Sequence, residues 1–487
     1  MIRTINKLIN KYKELPIQAK ASLWFLICSF LQKGVSVITT PIFTRLLSTA
    51  DYGNYNVFNS WMGILSIFIT LQIYSGVYEQ GLVKFEKERK VFSSALQGLC
   101  LILCLLWLAI YLICKDYWND LFSLTTVQML AMIIMIWTTS TFRFWSAEQR
   151  VQYKYKTLVI ITLFVSIAKP VLSVIFVLLA ENKVTACILG LTLAELIGYT
   201  GLFFSQIYRG KKIYSKNYWL YSIGFAVPLV PHYLAQVVLA SSDRIMIKSL
   251  IGESEAGIYS LAYTISSVMT LFNAALSQTL GPWIYQKIKD NKSKEIAGIS
   301  YIALVCIALL NILLILFAPE IVVAFAPEEY YDAIMVIPPV AMSVFFMFMY
   351  DFFAKFEFYY EKKFFIMIAS IIGAVLNIIL NYIFIPYFGY CAAGYTTLVC
   401  YILYVIGHYV FMQNVIKNNI GDIEVYDKKV LILISIVFMI AGFLITITYK
   451  NQIIRYVIIV TIALYGIIER KKVFFIINKL RIRNNNM

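Results

Sequence analysis

The sequence lacks most of what a soluble enzyme needs. Two histidines, His232 and His408, are all that 487 residues contain, and no His-Glu-x-x-His pair is present to hold a catalytic zinc. No Gly-x-x-x-x-Gly-Lys-[Ser/Thr] loop occurs, which excludes ATP hydrolysis by that route. Eight cysteines are scattered, mostly inside apolar runs, with no Cys-x-x-Cys pair, so neither a disulfide framework nor a zinc site is expected. Charged residues are only 14% of the chain, too few to coat a soluble protein of this length. No polar connection is long enough to fold as a domain of its own. Paired carboxylates or a nucleophile beside a base are also missing, so a non-enzymatic protein without cofactor or metal is expected.

What is abundant is apolar and aromatic sequence: 61% hydrophobic residues and 35 tyrosines, the residue type that anchors helices at membrane interfaces. A membrane-spanning helix takes about 20 apolar residues. Fourteen such runs are found, near 21–44, 55–78, 92–114, 122–142, 157–180, 184–207, 218–242, 257–281, 296–318, 333–354, 364–386, 390–413, 429–449 and 452–469. The basic residues test that number. If the N-terminus is cytoplasmic, 33 of the 42 Lys and Arg fall in the leader, the tail and every second connection, and seven fall in the connections between. A wrong helix count would scramble this alternation, so both termini are expected on the cytoplasmic side of a bacterial cytoplasmic membrane. The net charge of +16 is then a topology signal facing anionic lipid, and nucleic acid is not an expected partner.

The chain also repeats. Asp51, Gly53 and Tyr55 recur as Glu255, Gly257 and Tyr259, an offset of 204 that also maps Cys187 onto Cys391, Gly190 onto Gly394 and Thr192 onto Thr396. An even number of helices per unit keeps both halves in the same orientation. The expected architecture is an all-α integral membrane protein. It has an N-lobe of six helices (1–210), a C-lobe of six (211–415) and two appended helices with a tail (416–487). Proteins built in this way usually hold a substrate between the repeats.

Charges inside apolar runs are costly, about 2.5–3.5 kcal/mol for a lysine at the helix centre, and so mark candidate sites. Lys33 lies halfway along the first helix, Lys169 (before Pro170) along the fifth and Glu195 along the sixth. Lys169 and Glu195 are equidistant from the turn near Asn182, which puts them at one depth in an antiparallel hairpin. They either fix packing as a buried ion pair or belong to a wet cavity. His232, between Pro231 and Tyr233 in the seventh helix, reads as a core histidine or a proton carrier. At the offset of 204 the midplane cations have no counterparts in the C-lobe, so a cationic pocket belongs to the first half and suits an anionic head group. Asp243, Arg244 and Lys248 at one end of the seventh helix are candidate gates. So are Arg143, Glu148 and Arg150 at the end of the fourth, and Asp351, Lys355 and Glu357 at the end of the tenth.

The stretch Asn377–Thr397, with Leu380-Asn381, Ile385-Pro386 and a turn at Gly389, resembles a pattern of the multidrug/oligosaccharidyl-lipid/polysaccharide exporter superfamily. Pro228 to Lys248, with Pro-x-x-Pro-His and Ser-Asp-Arg-Ile-Met-Ile, is similar to the seventh helix of its polysaccharide transporter branch. Thr44-Arg45-Leu46-Leu47 followed by Asp51-Tyr52-Gly53 is similar to the end of the first helix there. The resemblance implies a flippase that moves undecaprenyl-pyrophosphate-linked oligosaccharide across the bilayer for O-antigen, capsular or exopolysaccharide assembly. It would work by alternating access, alongside a polysaccharide polymerase and export machinery. On that reading Lys33 and Lys169 hold the pyrophosphate, Glu195 tunes Lys169, and His232 and Arg244 line the substrate path. Asp243, Arg143, Asp351 and Lys355 gate it. The alternatives are a multidrug cation antiporter of the same fold or a lipid II flippase. A membrane glycosyltransferase is disfavoured by the short loops.

Overall fold

The computed structural model describes residues 16–468; most of the basic leader and the whole tail from 469 lie outside the described residues. Among the described residues the chain is helical throughout, without strands. The spans are α1 (Ile17–Leu46), α2 (Thr49–Thr70), α3 (Arg89–Ile113), α4 (Thr126–Val151), α5 (Tyr155–Leu179), α6 (Lys183–Gly210) and α7 (Lys216–Leu250). They continue as α8 (Glu253–Ser267, then Met269–Lys289), α9 (Ile296–Leu316), α10 (Ala333–Tyr359), α11 (Lys363–Phe388), α12 (Cys391–Asn419), α13 (Lys428–Ile447) and α14 (Gln452–Ile468). Capping sets several starts. Ser48 and Thr125 each form a reciprocal capping box, with Asp51 and Gln128, and Asn182 accepts from the Thr185 N–H at 3.0 Å.

Eleven of these spans are long and apolar enough to cross a membrane by composition alone. The others are α2, α8 and α14. Two of them, α2 and α8, occupy equivalent positions in the repeat, and both are interrupted. α8 breaks at Val268. α2 unwinds over 71–76, with Leu71, Gln72 and Gly76 at positive φ, and resumes as Val77–Lys84. Irregular backbone at membrane depth is tolerated where it is buried in protein or lines a cavity. In α2 and α8 the weak apolar signal coincides with such an interruption; α7 keeps its apolar signal although a 3-10 segment, Val227–Leu229, interrupts it.

Helix packing repeats with the sequence. In the first six helices α4 packs on α6, α5 on α6, α1 on α5 and α3 on α4. In the next six α10 packs on α12, α11 on α12, α7 on α11 and α9 on α10, each pair the counterpart of the one before. The two lobes meet where α2 lies against α8 and α7, and α13 leans on α9 and α10. One large apolar core is centred on α8–α10, and a second fills the space between α2, α3 and α4.

Candidate functional site

The lobes touch most closely through the repeated motif itself. Gly53 of α2 and Gly257 of α8, equivalent in the repeat, cross backbone to backbone. A Cβ on Gly53 would fall on the Glu253 carbonyl and the Gly257 nitrogen, and one on Gly257 on the Thr49 carbonyl and the Gly53 nitrogen. Only glycine permits that approach. Polar groups surround the crossing. Asn54 donates to Glu253 at 2.8 Å, Lys248 donates to Asn54 at 2.5 Å, and Thr49 meets Ser254 at 3.1 Å. Next to them Arg45 donates to the Ala324 carbonyl at 3.0 Å, and Tyr330 donates to the Ser48 carbonyl at 3.2 Å. This end of the molecule, which carries the α1–α2 and α7–α8 connections, is closed.

Behind it the N-lobe lines an open polar cavity of about 510 Å³. Its wall comes from α1 (Gln32), the unwound part of α2 (Tyr74, Ser75, Gly76) with Glu79, α4 (Thr139, Arg143, Arg150), α5 (Lys169) and α6 (Glu195, Tyr199). The equal depth expected for Lys169 and Glu195 is realised as an ion pair of 2.6 Å. Glu195 is 2% exposed and accepts further bonds from Thr138 at 2.5 Å and Thr139 at 3.1 Å, whereas Lys169 is 32% exposed and turned to the cavity. A buried carboxylate is tolerable because four contacts from three donors surround it. Arg143 stacks on the Tyr74 ring at 5.1 Å. Among the described residues neither Arg143 nor Arg150 makes an ion pair, so the cavity holds three cations against Glu79 and Glu195. Arranged in this way, the side chains can bind a polyanion.

The other candidates are spread more widely. Lys33 is exposed on α1 beside Gln32 and does not line this cavity. His232 is half-buried, with Nδ1 unpartnered. Arg244 sits over the Tyr263 ring at 4.2 Å. Asp243 is buried, and its bonds run within the C-lobe, from Tyr259 and Asn381 at 2.6 Å each and Thr397 at 3.0 Å. Asn377, Asn381 and Thr396 extend that network. Asp351 and Lys355 pair at 3.0 Å and share Ser277 of α8, a tie inside the C-lobe. Near the C-terminal end of α4, Glu148 is buried against Arg209 of α6 at 3.3 Å and Gln206 at 2.8 Å. Sequence reasoning passed over Thr138 and Thr139, although the polar run Thr138-Thr139-Ser140-Thr141 in an apolar helix was the available signal. It also passed over the α2 break, which no proline announces, and a buried Glu357–His408 contact.

A profile of the family described as polysaccharide biosynthesis protein matches residues 19–288, more than half of the chain. The chain belongs to that family. A second profile, MatE, matches residues 228–383, and the two together place the chain in the polysaccharide branch of the multidrug/oligosaccharidyl-lipid/polysaccharide exporter superfamily. An uncharacterized membrane protein of Haemophilus influenzae is 20% identical over 76% of this chain and 92% of its own length. The Lsg locus putative protein 1 of the same organism is 28% identical, over 22% of this chain and 27% of its own. Among solved structures, the lipid II flippase MurJ in an inward closed conformation superposes with a TM-score of 0.67 at 14% identity, covering 93% of this chain and 99% of MurJ. An inward-facing multidrug resistance MATE transporter superposes at 0.60, also at 14% identity, over 80% of this chain and 96% of its own. The fold is therefore the one shared by these two solved transporters, and it is that of a multi-pass membrane protein.

Proposed function

We propose that this protein is a flippase for undecaprenyl-pyrophosphate-linked oligosaccharide repeat units, serving O-antigen, capsule or exopolysaccharide assembly. The observation that carries the proposal is the N-lobe cavity, where Lys169, Arg143 and Arg150 face an empty volume of head-group size. Two of these cations have no carboxylate partner among the described residues. Guanidinium groups suit phosphate oxygens through paired hydrogen bonds, and two exposed arginines without a carboxylate partner have their donors available for them. Lys33, exposed one residue from Gln32, is proposed as a further contact along the path of the pyrophosphate. Gating then belongs to the Gly53–Gly257 crossing, with Lys248 and Arg244 on its α7 side. Arg143 and the Asp351–Lys355 tie sit towards the opposite end. The N-lobe spans 1–210, the C-lobe 211–415 and the appended part 416–487. The charge alternation supports a bacterial cytoplasmic membrane with both termini inside, so the closed end faces outward and the cavity awaits substrate from the cytoplasmic leaflet. A polymerase and export machinery would receive the product.

The test is mass spectrometry of lipid extracts from cells depleted of the protein. Accumulation of pyrophosphate-linked repeat units together with loss of surface polymer is expected. An unchanged lipid-linked pool with new sensitivity to cationic drugs would replace this reading by a drug antiporter. Accumulation of lipid II alone would replace it by a peptidoglycan flippase.

A further inference from the structure

Of the two buried carboxylates in the first half, Glu195 lines the N-lobe cavity and Glu148 is tied to Arg209. A buried charged pair in the C-lobe lies outside that cavity. Glu357 near the end of α10 is 0% exposed and His408 of α12 is 1% exposed. His408 Nδ1 lies 2.9 Å from both carboxylate oxygens of Glu357. That geometry makes Nδ1–H the donor and leaves Nε2 as the free position of the ring. Nε2 is buried and has no hydrogen-bond partner. The imidazole is walled by aromatic rings, Tyr404 at 4.6 Å, Tyr350 at 5.2 Å and Phe365 at 5.6 Å.

The repeat supplies the comparison that gives this pair meaning. α10 and α12 are the counterparts of α4 and α6, and in the N-lobe those two helices are also joined by a buried glutamate and a cation, Glu148 and Arg209. Arginine stays charged throughout the accessible pH range, so the N-lobe seam is a fixed ion pair. The C-lobe seam uses histidine, the one side chain that ordinarily changes charge between about pH 5 and 8. A proton placed on Nε2 converts a buried site of one negative charge into a neutral ion pair, which changes the cost of keeping that seam closed.

We propose that Glu357 and His408 form a proton-binding site that couples proton movement to the conformational cycle of the transporter. One proton binds at Nε2 from one side of the membrane and leaves to the other, and no other bond is made or broken. The groups facing the pair from each packed helix are few. α10 presents Tyr350, with the Asp351–Lys355 pair directed to Ser277 of α8; α12 presents Tyr404, bonded to Ser370 at 2.8 Å; and α11 presents Phe365 and Ser370. The proposal rests on the flippase reading for what is driven, and goes beyond it in naming the driving ion and its seat.

Two measurements test it on the full-length protein. Infrared difference spectra between about pH 8 and pH 5, the window in which imidazole ordinarily titrates, should show histidine and carboxylate bands in the wild type. Those bands should disappear in both Glu357→Gln and His408→Gln. In liposomes of phosphatidylethanolamine and phosphatidylglycerol, translocation of undecaprenyl pyrophosphate is read by phosphatase access from the far leaflet. The wild type should translocate severalfold faster under an imposed pH gradient than without one, and in the two variants that ratio should fall to one. Absence of the infrared bands from the wild type overturns the proton site without recourse to any variant. Translocation that ignores the gradient, or variants that keep the acceleration, overturns the coupling alone. No translocation by the wild type overturns the flippase reading, and the coupling with it.

Discussion

Placing a methyl group at Gly53 tests whether the repeated motif is a gate. In the structure the added Cβ would overlap the Glu253 carbonyl and the Gly257 nitrogen, both backbone atoms that cannot swing aside. Inserting a methyl where none fits typically costs about 1–3 kcal/mol. Here the cost falls only on the conformation in which this end is closed, because the two glycines separate when it opens. A factor of ten per 1.4 kcal/mol converts that cost into a shift of roughly 5- to 150-fold in the ratio of closed to open molecules. The assay is the rate of modification of a single cysteine at Ser254, which packs under Thr49, by a membrane-impermeant maleimide. The background must have all eight native cysteines replaced, since Cys114 and Cys306 are exposed. Gly53→Ala should raise the rate within that range, and Gly257→Ala should raise it comparably, because each methyl meets the other helix in the same way. A rate unchanged in both variants, or raised in only one, would refute the idea that this crossing is a symmetric gate.

Three further outcomes follow from the same geometry. Cysteines at Thr49 and Ser254, whose hydroxyl oxygens are 3.1 Å apart, should form a disulfide under oxidation that stops transport, with recovery on reduction. Transport that continues in the crosslinked protein would show that this end need not open. Arg143→Ala removes a guanidinium from the cavity. Bonds to charged groups contribute about 1.5–3 kcal/mol, so binding of undecaprenyl pyrophosphate, followed by microscale thermophoresis, should weaken roughly 10- to 150-fold, and unchanged affinity would remove Arg143 from the site. Glu195→Gln releases Lys169 from its ion pair and leaves Thr138 and Thr139 without a charged acceptor. We expect tighter ligand binding with a loss of about 1–3 kcal/mol in stability, seen as a lower unfolding temperature in detergent; weaker binding would mean that Glu195 serves Lys169 as an essential orienting group.

Much of the fold was legible because membrane insertion writes itself into composition. Apolar length located the spans, and the alternation of basic loops set their number. The offset that links Gly53 to Gly257 located the axis on which the lobes meet, since equivalent residues of parallel repeats coincide there. The Lys169–Glu195 pair was legible because a hairpin converts equal distance from a turn into equal depth. Other features had weaker signals. The break in α2 falls at Leu71 and Gln72, residues of ordinary helix propensity, and is held by neighbours that the local sequence does not name. Lys33 was read beside Lys169 from its place along α1. Which side of α1 meets the cavity depends on how that helix lies on α5, and Gln32 takes that position.

By itself the sequence determined that this chain is a multi-pass helical membrane protein, roughly how many long helices it forms, that its halves repeat, and which charges fall within apolar runs. These follow from the cost of burying polar groups in hydrocarbon, which acts residue by residue along the chain. Only the tertiary structure decided which of those charges share a space. Arg143 and Arg150 joined Lys169, Asp243 was drawn into a network of C-lobe side chains, and Glu357 met His408 across two helices. Such meetings depend on helix rotation and on contacts between residues far apart in the chain, and no local pattern carries that information.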